Sequence, residues 1–219
     1  MSAPSQVLVF DMDGVLVEVS ESYRETVVRT VEHFTGKTIT RAQIQDYKNQ
    51  GGWNNDWALS QKICKDLGVE IPYATVVEYF NYLFLDQGMI HRERWLPRDG
   101  LLDRLGAKFE LAIFTGRTTE EAEITLNREG VRDRFLLITA NDVEREKPAP
   151  DGLLKIAALK PASKLLYVGD TVDDARCARA ANVPFIGIAA PAHERRAELL
   201  SLFALEGAIQ VLGEINEIG

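Results

Sequence analysis

The chain has 219 residues, 46% hydrophobic and 26% charged, with a formal charge of −8. Those proportions belong to a soluble globular protein with one large domain, or a core plus an insertion. The acidic excess argues against nucleic acid or an anionic membrane as a main partner, but it admits small anions if a bound metal inverts the local field. No uninterrupted apolar run approaches a membrane span. Met1 to Gln6 has neither the basic start nor the apolar stretch of a signal peptide, so a cytoplasmic location is expected. Cys64 and Cys177 lack metal-ligand spacing and read as buried free thiols. Nothing in the chain specifies an oligomeric state.

Val7 to Phe10 is an apolar, β-branched run that reads as a buried parallel strand and ends in Asp11-Met12-Asp13-Gly14. A helical period follows: Tyr23, Val27, Val31 and Phe34, closed by Gly36. Thr40 and Gln43 have capping-box spacing and open a second helix. Asn55 or Asp56 can cap a third, carrying Trp57, Leu59, Ile63 and Leu67. A fourth is expected from Tyr73 to Asp86. Residues 19–88 therefore read as an all-helical insertion, with residues 1–18 and 89–219 as the core.

From Pro97 onward strands and helices alternate. Strands are expected at Leu111 to Phe114, Phe135 to Thr139, Lys164 to Val168 and Phe185 to Ile188. Helices are expected around Leu101 to Leu105, from Thr118, from Asp151, through the alanines between Ala175 and Ala181, and from His193 to Leu205. That alternation implies a doubly wound, Rossmann-like parallel α/β sheet with right-handed crossovers and a helical cap after its first strand.

Four polar clusters follow core strands: Asp11-Met12-Asp13-Gly14, Thr115-Gly116-Arg117, Lys147-Pro148, and Gly169-Asp170 with Asp173-Asp174 behind. Strand ends in such a sheet share one edge, where ligands bind. Two carboxylates about 4 Å apart repel by roughly 4 kcal/mol at an effective dielectric of 20, so Asp11 and Asp13 call for a cation or a shared proton. The combination points to phosphoryl transfer. Asp11 is the expected nucleophile and Asp13 the acid and base. Asp11 and Asp170 are expected to hold Mg²⁺, with Asp174 orienting its waters. Thr115 and the Gly116 amide are placed on the transferring phosphoryl group, with Lys147 neutralising it. Arg117 can reach a second anionic group of the substrate, or cap or salt-bridge at the surface. Asp173 reads as a solvated helix-start carboxylate. Trp53 and Asn54, in a turn-rich cap stretch, are candidate specificity residues; Asn55 and Trp57 read equally well as a cap and as core packing.

In order and in kind, these motifs resemble those of the haloacid dehalogenase superfamily of aspartate-nucleophile phosphohydrolases. The insertion resembles the cap of its phosphoglycolate phosphatase and β-phosphoglucomutase branch. The resemblance implies Mg²⁺ held by the Asp11 and Asp170 side chains and the Asp13 carbonyl, and a cap that closes over a small phosphorylated metabolite. Relatives in this branch often have Thr or Ser followed by Asn at the second motif, where this chain has Thr115-Gly116-Arg117, and the mutases carry a cap histidine where Tyr23 stands. A phosphatase is therefore the expectation. A sugar-phosphate phosphomutase is the alternative, and a phospho-acceptor signalling domain is the alternative from another class. No Gly-x-x-x-x-Gly-Lys-Ser/Thr loop is present to suggest a kinase.

Overall fold

The computed structural model describes residues 6–193 and 195–219. Residues 1–5, read above for a signal peptide, and residue 194, within the last expected helix, lie outside the described residues. The chain divides into two compact units. One holds residues up to Val17 and from Trp95 to the end; the other is Glu18–Arg94. The chain crosses between them at β2 (Val17–Glu18) and at β3 (Arg94–Trp95), which pair as a short two-stranded sheet.

The larger unit is built on β1 (Gln6–Phe10), β4 (Glu110–Phe114), β5 (Leu136–Ile138), β6 (Lys164–Gly169), β7 (Phe185–Ile188) and β8 (Gln210–Leu212). They form one parallel sheet in the order β5-β4-β1-β6-β7-β8. Taken in chain order this is the 3-2-1-4-5-6 pattern of a dinucleotide-type fold, with its reversal of direction between β1 and β6. β1 sits centrally because four of its five residues are buried, as a strand covered on both faces requires. The helices of this unit are α5 (Leu101–Gly106), α6 (Thr119–Arg128), α7 (Asp151–Leu159), α8 (Val172–Ala180) and α9 (Arg196–Leu205).

The sixth strand, β8, is one more than the sequence pattern suggests. It is a three-residue edge strand with only Leu212 fully buried, too short and too polar to show an alternating signal. Thr118 and Glu121 form a capping box at the start of α6, where the helix is expected to begin. Thr171 and Asp174 form another at α8.

The smaller unit contains α1 (Tyr23–Thr35), α2 (Arg41–Gln50), α3 (Asp56–Asp66) and α4 (Tyr73–Asn81). Its boundary reaches Arg94 rather than 88, because the 3₁₀ turn Met89–Arg92 packs on α1 and buries Met89 and Ile90. Thr40 and Gln43 cap α2 reciprocally, and the Asn55 side chain accepts from the Ala58 amide at the start of α3. The helix expected through Asp86 changes at Tyr82 into a π-helical segment, Tyr82–Asp86. Its wider turn buries the consecutive Leu83 and Phe84 together. Tyr23 packs into this core with its ring centroid 4.0 Å from that of Phe84, and Trp57 meets Phe80 edge-on. Among the described residues, no helix is long and apolar enough to cross a membrane.

Candidate active site

Three strand ends converge. The Asp11 amide, one step past β1, donates to the Val168 carbonyl of β6 at 2.8 Å, and the Thr115 amide, one step past β4, donates to the Ile138 carbonyl of β5 at 3.1 Å. Asp11, Thr115 and Asp170 therefore emerge on one edge of the sheet. Lys147 enters from the loop between β5 and α7 and is almost completely buried, with its side chain 1% exposed.

The ammonium organises this edge. Lys147 Nζ lies 2.9 Å from Asp11 Oδ1 and 2.8 Å from Asp174 Oδ1, and donates to the Tyr167 hydroxyl at 3.2 Å. Tyr167 Oη in turn donates to Asp174 Oδ1 at 2.7 Å. The other oxygen of Asp174 accepts from the Thr171 amide at 3.0 Å and hydroxyl at 2.6 Å. The Phe114 ring faces the ammonium, 5.4 Å from nitrogen to centroid.

Burial pushes the Asp11 carboxyl from 3.8 up to about 7; Lys147 opposes the rise, and Asp174 and Asp13 add to it. Burial also acts against ionised Asp174, but Lys147, Thr171 and Tyr167 together hold it below the usual carboxylate range. For Lys147, burial favours loss of the proton, yet Asp11 and Asp174 keep its pKa above the ordinary lysine value. An ammonium clamped between two carboxylates thus stays charged.

Asp11, Asp170 and Asp174 each bring an oxygen within 4.8 Å of the others. All are hard oxygen donors, and three carboxylates against one ammonium leave two negative charges to balance. Both properties fit a divalent cation of the Mg²⁺ type. Both oxygens of Asp174 are already engaged by Lys147, Tyr167 and Thr171. That leaves Asp11 and Asp170 better placed as ligands, with Asp174 as their support.

The turn after Asp13 is shaped for this cluster. Gly14 has φ +72°, and a Cβ there would lie 1.9 Å from Asp170 Oδ2. Gly169 is similarly crowded: a Cβ would lie 2.5 Å from that of Asp174. Gly14→Ala is expected to displace Asp170 and strain the backbone. It should lower the melting temperature and weaken Mg²⁺ binding by calorimetry; unchanged affinity would show that Asp170 does not help to hold the cation.

Asp13 belongs to a second cluster. Arg117 Nε donates to Asp13 Oδ1 at 2.9 Å and Nη2 donates to the same oxygen. Arg117 Nη1 donates to the Thr125 hydroxyl at 2.9 Å. Arg117 is therefore no surface arginine: its side chain is 1% exposed while that of Asp13 is 31% exposed. The donors expected for a second substrate anion are turned onto Asp13 and Thr125, because a buried guanidinium must be paired. Thr115 Oγ1 accepts from the Arg117 amide at 3.2 Å, a contact that still leaves its own hydrogen to donate.

Asp11, Asp13, Thr115, Gly116, Arg117, Lys147, Asp170 and Asp174 all lie in the sheet unit. Trp53 and Asn54 lie in the helical unit. There Trp53 meets Tyr47 edge-on and lines a groove of about 590 Å³ with Gln61, Ile71 and Pro72. Trp57 donates its indole N–H to Asn81 at 3.2 Å, so packing accounts for it. Asp173 is buried rather than solvated, because α8 packs against β6, β7 and α9 and encloses its first turn. Both cysteines are free and buried. The sequence alone assigns no site role to Tyr167, Thr171 or Thr125. Thr171 and Asp174 have capping-box spacing, a signal that could have found their pairing.

A family model for haloacid dehalogenase-like hydrolases matches residues 8–188. The chain belongs to this family. Within the haloacid dehalogenase-like hydrolases, a phosphoglycolate phosphatase of Colwellia psychrerythraea is 23% identical over 193 residues, covering 84% of each protein. An imidazoleglycerol-phosphate dehydratase of Phytophthora nicotianae is 32% identical over 205 residues. These are 87% of this chain but only 45% of that protein, so the chain spans less than half of that relative. Among solved structures, a haloacid dehalogenase-like protein from Agrobacterium tumefaciens superposes with a TM-score of 0.75 at 19% identity, covering 97% of this chain and 95% of that one. That likeness is one of fold.

Proposed function

We propose that this haloacid dehalogenase-like hydrolase is a Mg²⁺-dependent phosphatase of a small phosphorylated metabolite, acting through an aspartyl-phosphate. The supporting observation is the division of charge. Asp13 is paired with Arg117, while the three carboxyl groups of Asp11, Asp170 and Asp174 outnumber the one ammonium of Lys147 beside it. The first group suits proton transfer and the second suits a nucleophile beside a divalent cation.

Lys147 meets Oδ1 of Asp11, leaving Oδ2 to attack phosphorus. Asp13, which must enter this step with a proton taken from solvent on Oδ2, gives it to the ester oxygen, which keeps the electron pair as its bond to phosphorus breaks and the new bond forms. Asp13, now a carboxylate, takes a proton from water. The water oxygen bonds to phosphorus, the Asp11 oxygen departs as carboxylate, and inorganic phosphate leaves. Thr115 and the Gly116 amide donate to the phosphoryl oxygens, and Lys147 offsets their charge. Mg²⁺, held by Asp11, Asp170 and the Asp13 carbonyl, would supply further charge neutralisation to the phosphoryl group. The helical unit is the proposed cap, with Trp53 and Asn54 contributing to substrate choice.

The test is phosphate release from phosphoglycolate, an imidazole-bearing phosphate monoester and several sugar phosphates. Release from at least one is expected with Mg²⁺, disappearing in a chelator and returning when Mg²⁺ is restored. Undiminished release in chelator would remove the metal from the reading, and no release from any ester would remove the phosphatase.

A further inference from the structure

The Arg117 guanidinium is fixed along its edges. Nε and Nη2 converge on Asp13 Oδ1, and Nη1 donates to Thr125 Oγ1 on α6. Thr125 is completely buried, and the start of α6 is set by the reciprocal Thr118–Glu121 cap. The arginine backbone is tied as well: its amide donates to Thr115 Oγ1, and its carbonyl accepts from the Ala140 amide at 3.0 Å. A planar donor with this many restraints has little rotational freedom. Among the described residues, every side-chain hydrogen bond to Asp13 ends on Oδ1. The carboxylate is therefore held by one oxygen, and Oδ2 is left for proton exchange. The Asp13 side chain is 31% exposed, so the carboxyl is not sealed inside the protein.

We infer that Arg117, braced by Thr125, is a positioning residue that aims Oδ2 of Asp13 at the leaving-group oxygen. This rests on the phosphatase reading and assigns Arg117 to the acid–base carboxylate rather than to the substrate. The two assignments differ in what the leaving group should do. An alkoxide needs a proton in order to depart, whereas p-nitrophenolate departs without one. kcat/KM covers only the steps through departure, so it isolates the acid from the later base.

The experiment compares kcat/KM for p-nitrophenyl phosphate with that for the alkyl phosphate that the wild type hydrolyses fastest. Arg117→Met should lower the alkyl value by about 10²-fold, the scale of a misdirected catalytic group. The aryl value should stay within about 3-fold, because the proton is not needed there. Thr125→Val keeps the shape of a buried side chain and removes the hydroxyl that accepts from Arg117 Nη1, together with its long 3.5 Å contact to the Glu121 carbonyl. It should shift the same ratio in the same direction by a smaller factor, which keeps the test open if Arg117→Met fails to fold. In an Asp13→Asn background neither change should move the ratio further. Equal losses on both esters would overturn the inference, since an arginine that binds phosphate or merely supports the fold makes no distinction between leaving groups. A wild type that releases phosphate from no ester would instead overturn the phosphatase reading, and this inference with it.

Discussion

Asp11→Asn is expected to abolish phosphate release while leaving the fold at least as stable as the wild type. Asparagine matches the carboxylate in shape, but its amide oxygen is a poor nucleophile. Loss of a group that acts as part of a catalytic unit costs on the order of 10⁴-fold or more in turnover. The stability half of the result follows from the same carboxyl. Its pKa rises from 3.8 to about 7 in the folded protein, mainly through burial. Between those values the native state binds more protons than the unfolded chain, so stability falls as pH rises through that window, and the deficit persists above it. A neutral amide at the same place escapes the deficit. The melting temperature of Asp11→Asn in metal-free buffer at pH 8 should therefore equal or exceed that of the wild type. Acid-quenched wild type should carry a phosphoryl adduct by intact mass, and the variant should not. Retained turnover in the variant would reassign the nucleophile, and a collapse of its melting temperature would show that activity was lost with the fold.

The edge of the sheet was legible because each chemical cluster directly follows, or closely trails, an apolar run. Val7–Phe10 before Asp11, Leu111–Phe114 before Thr115 and Leu165–Val168 before Asp170 are short runs flanked by turn residues, and a parallel sheet gathers their ends. The cap helices were legible through local signals of three or four residues, such as Thr40 with Gln43. What escaped was long-range or small. Asp13 and Arg117 are separated by 104 positions, and nothing near either one announces the other. Asp173 is polar and sits in a first helical turn, so only the packing of α8 reveals its burial. Tyr167 reads as one more aromatic in a buried strand until its hydroxyl is seen joining Lys147 to Asp174. The edge strand β8 carries too few buried residues to register as a pattern.

Lys147→Met is expected to be among the most destabilising single changes in the chain. Methionine has nearly the volume of lysine, so packing against Phe114 and Tyr167 survives while the charge is lost. Removing one member of a buried ionic cluster typically costs about 3–5 kcal/mol, because the partners are left charged and unpaired. At roughly 2–4 °C per kcal/mol for a chain of this length, the melting temperature should fall by about 10 °C. The two partners differ in how they can respond. Burial already raises the Asp11 carboxyl to about 7 against the opposing pull of Lys147, so without Lys147 it is free to take a proton and become neutral. Asp174 is held in its ionised form chiefly by Lys147 itself, and once that is gone the Thr171 amide and hydroxyl on one oxygen and Tyr167 on the other still favour the charged form against burial. It is therefore the carboxylate that the loss of Lys147 strands. Asp174→Asn on the Lys147→Met background removes that charge. The amide oxygen can still accept from Thr171, and the amide nitrogen can donate to the Tyr167 hydroxyl. The double variant should recover a substantial part of the lost melting temperature while remaining inactive. Recovery would locate the cost of the single change in one unpaired carboxylate; additive losses would place it in the packing around Lys147 instead.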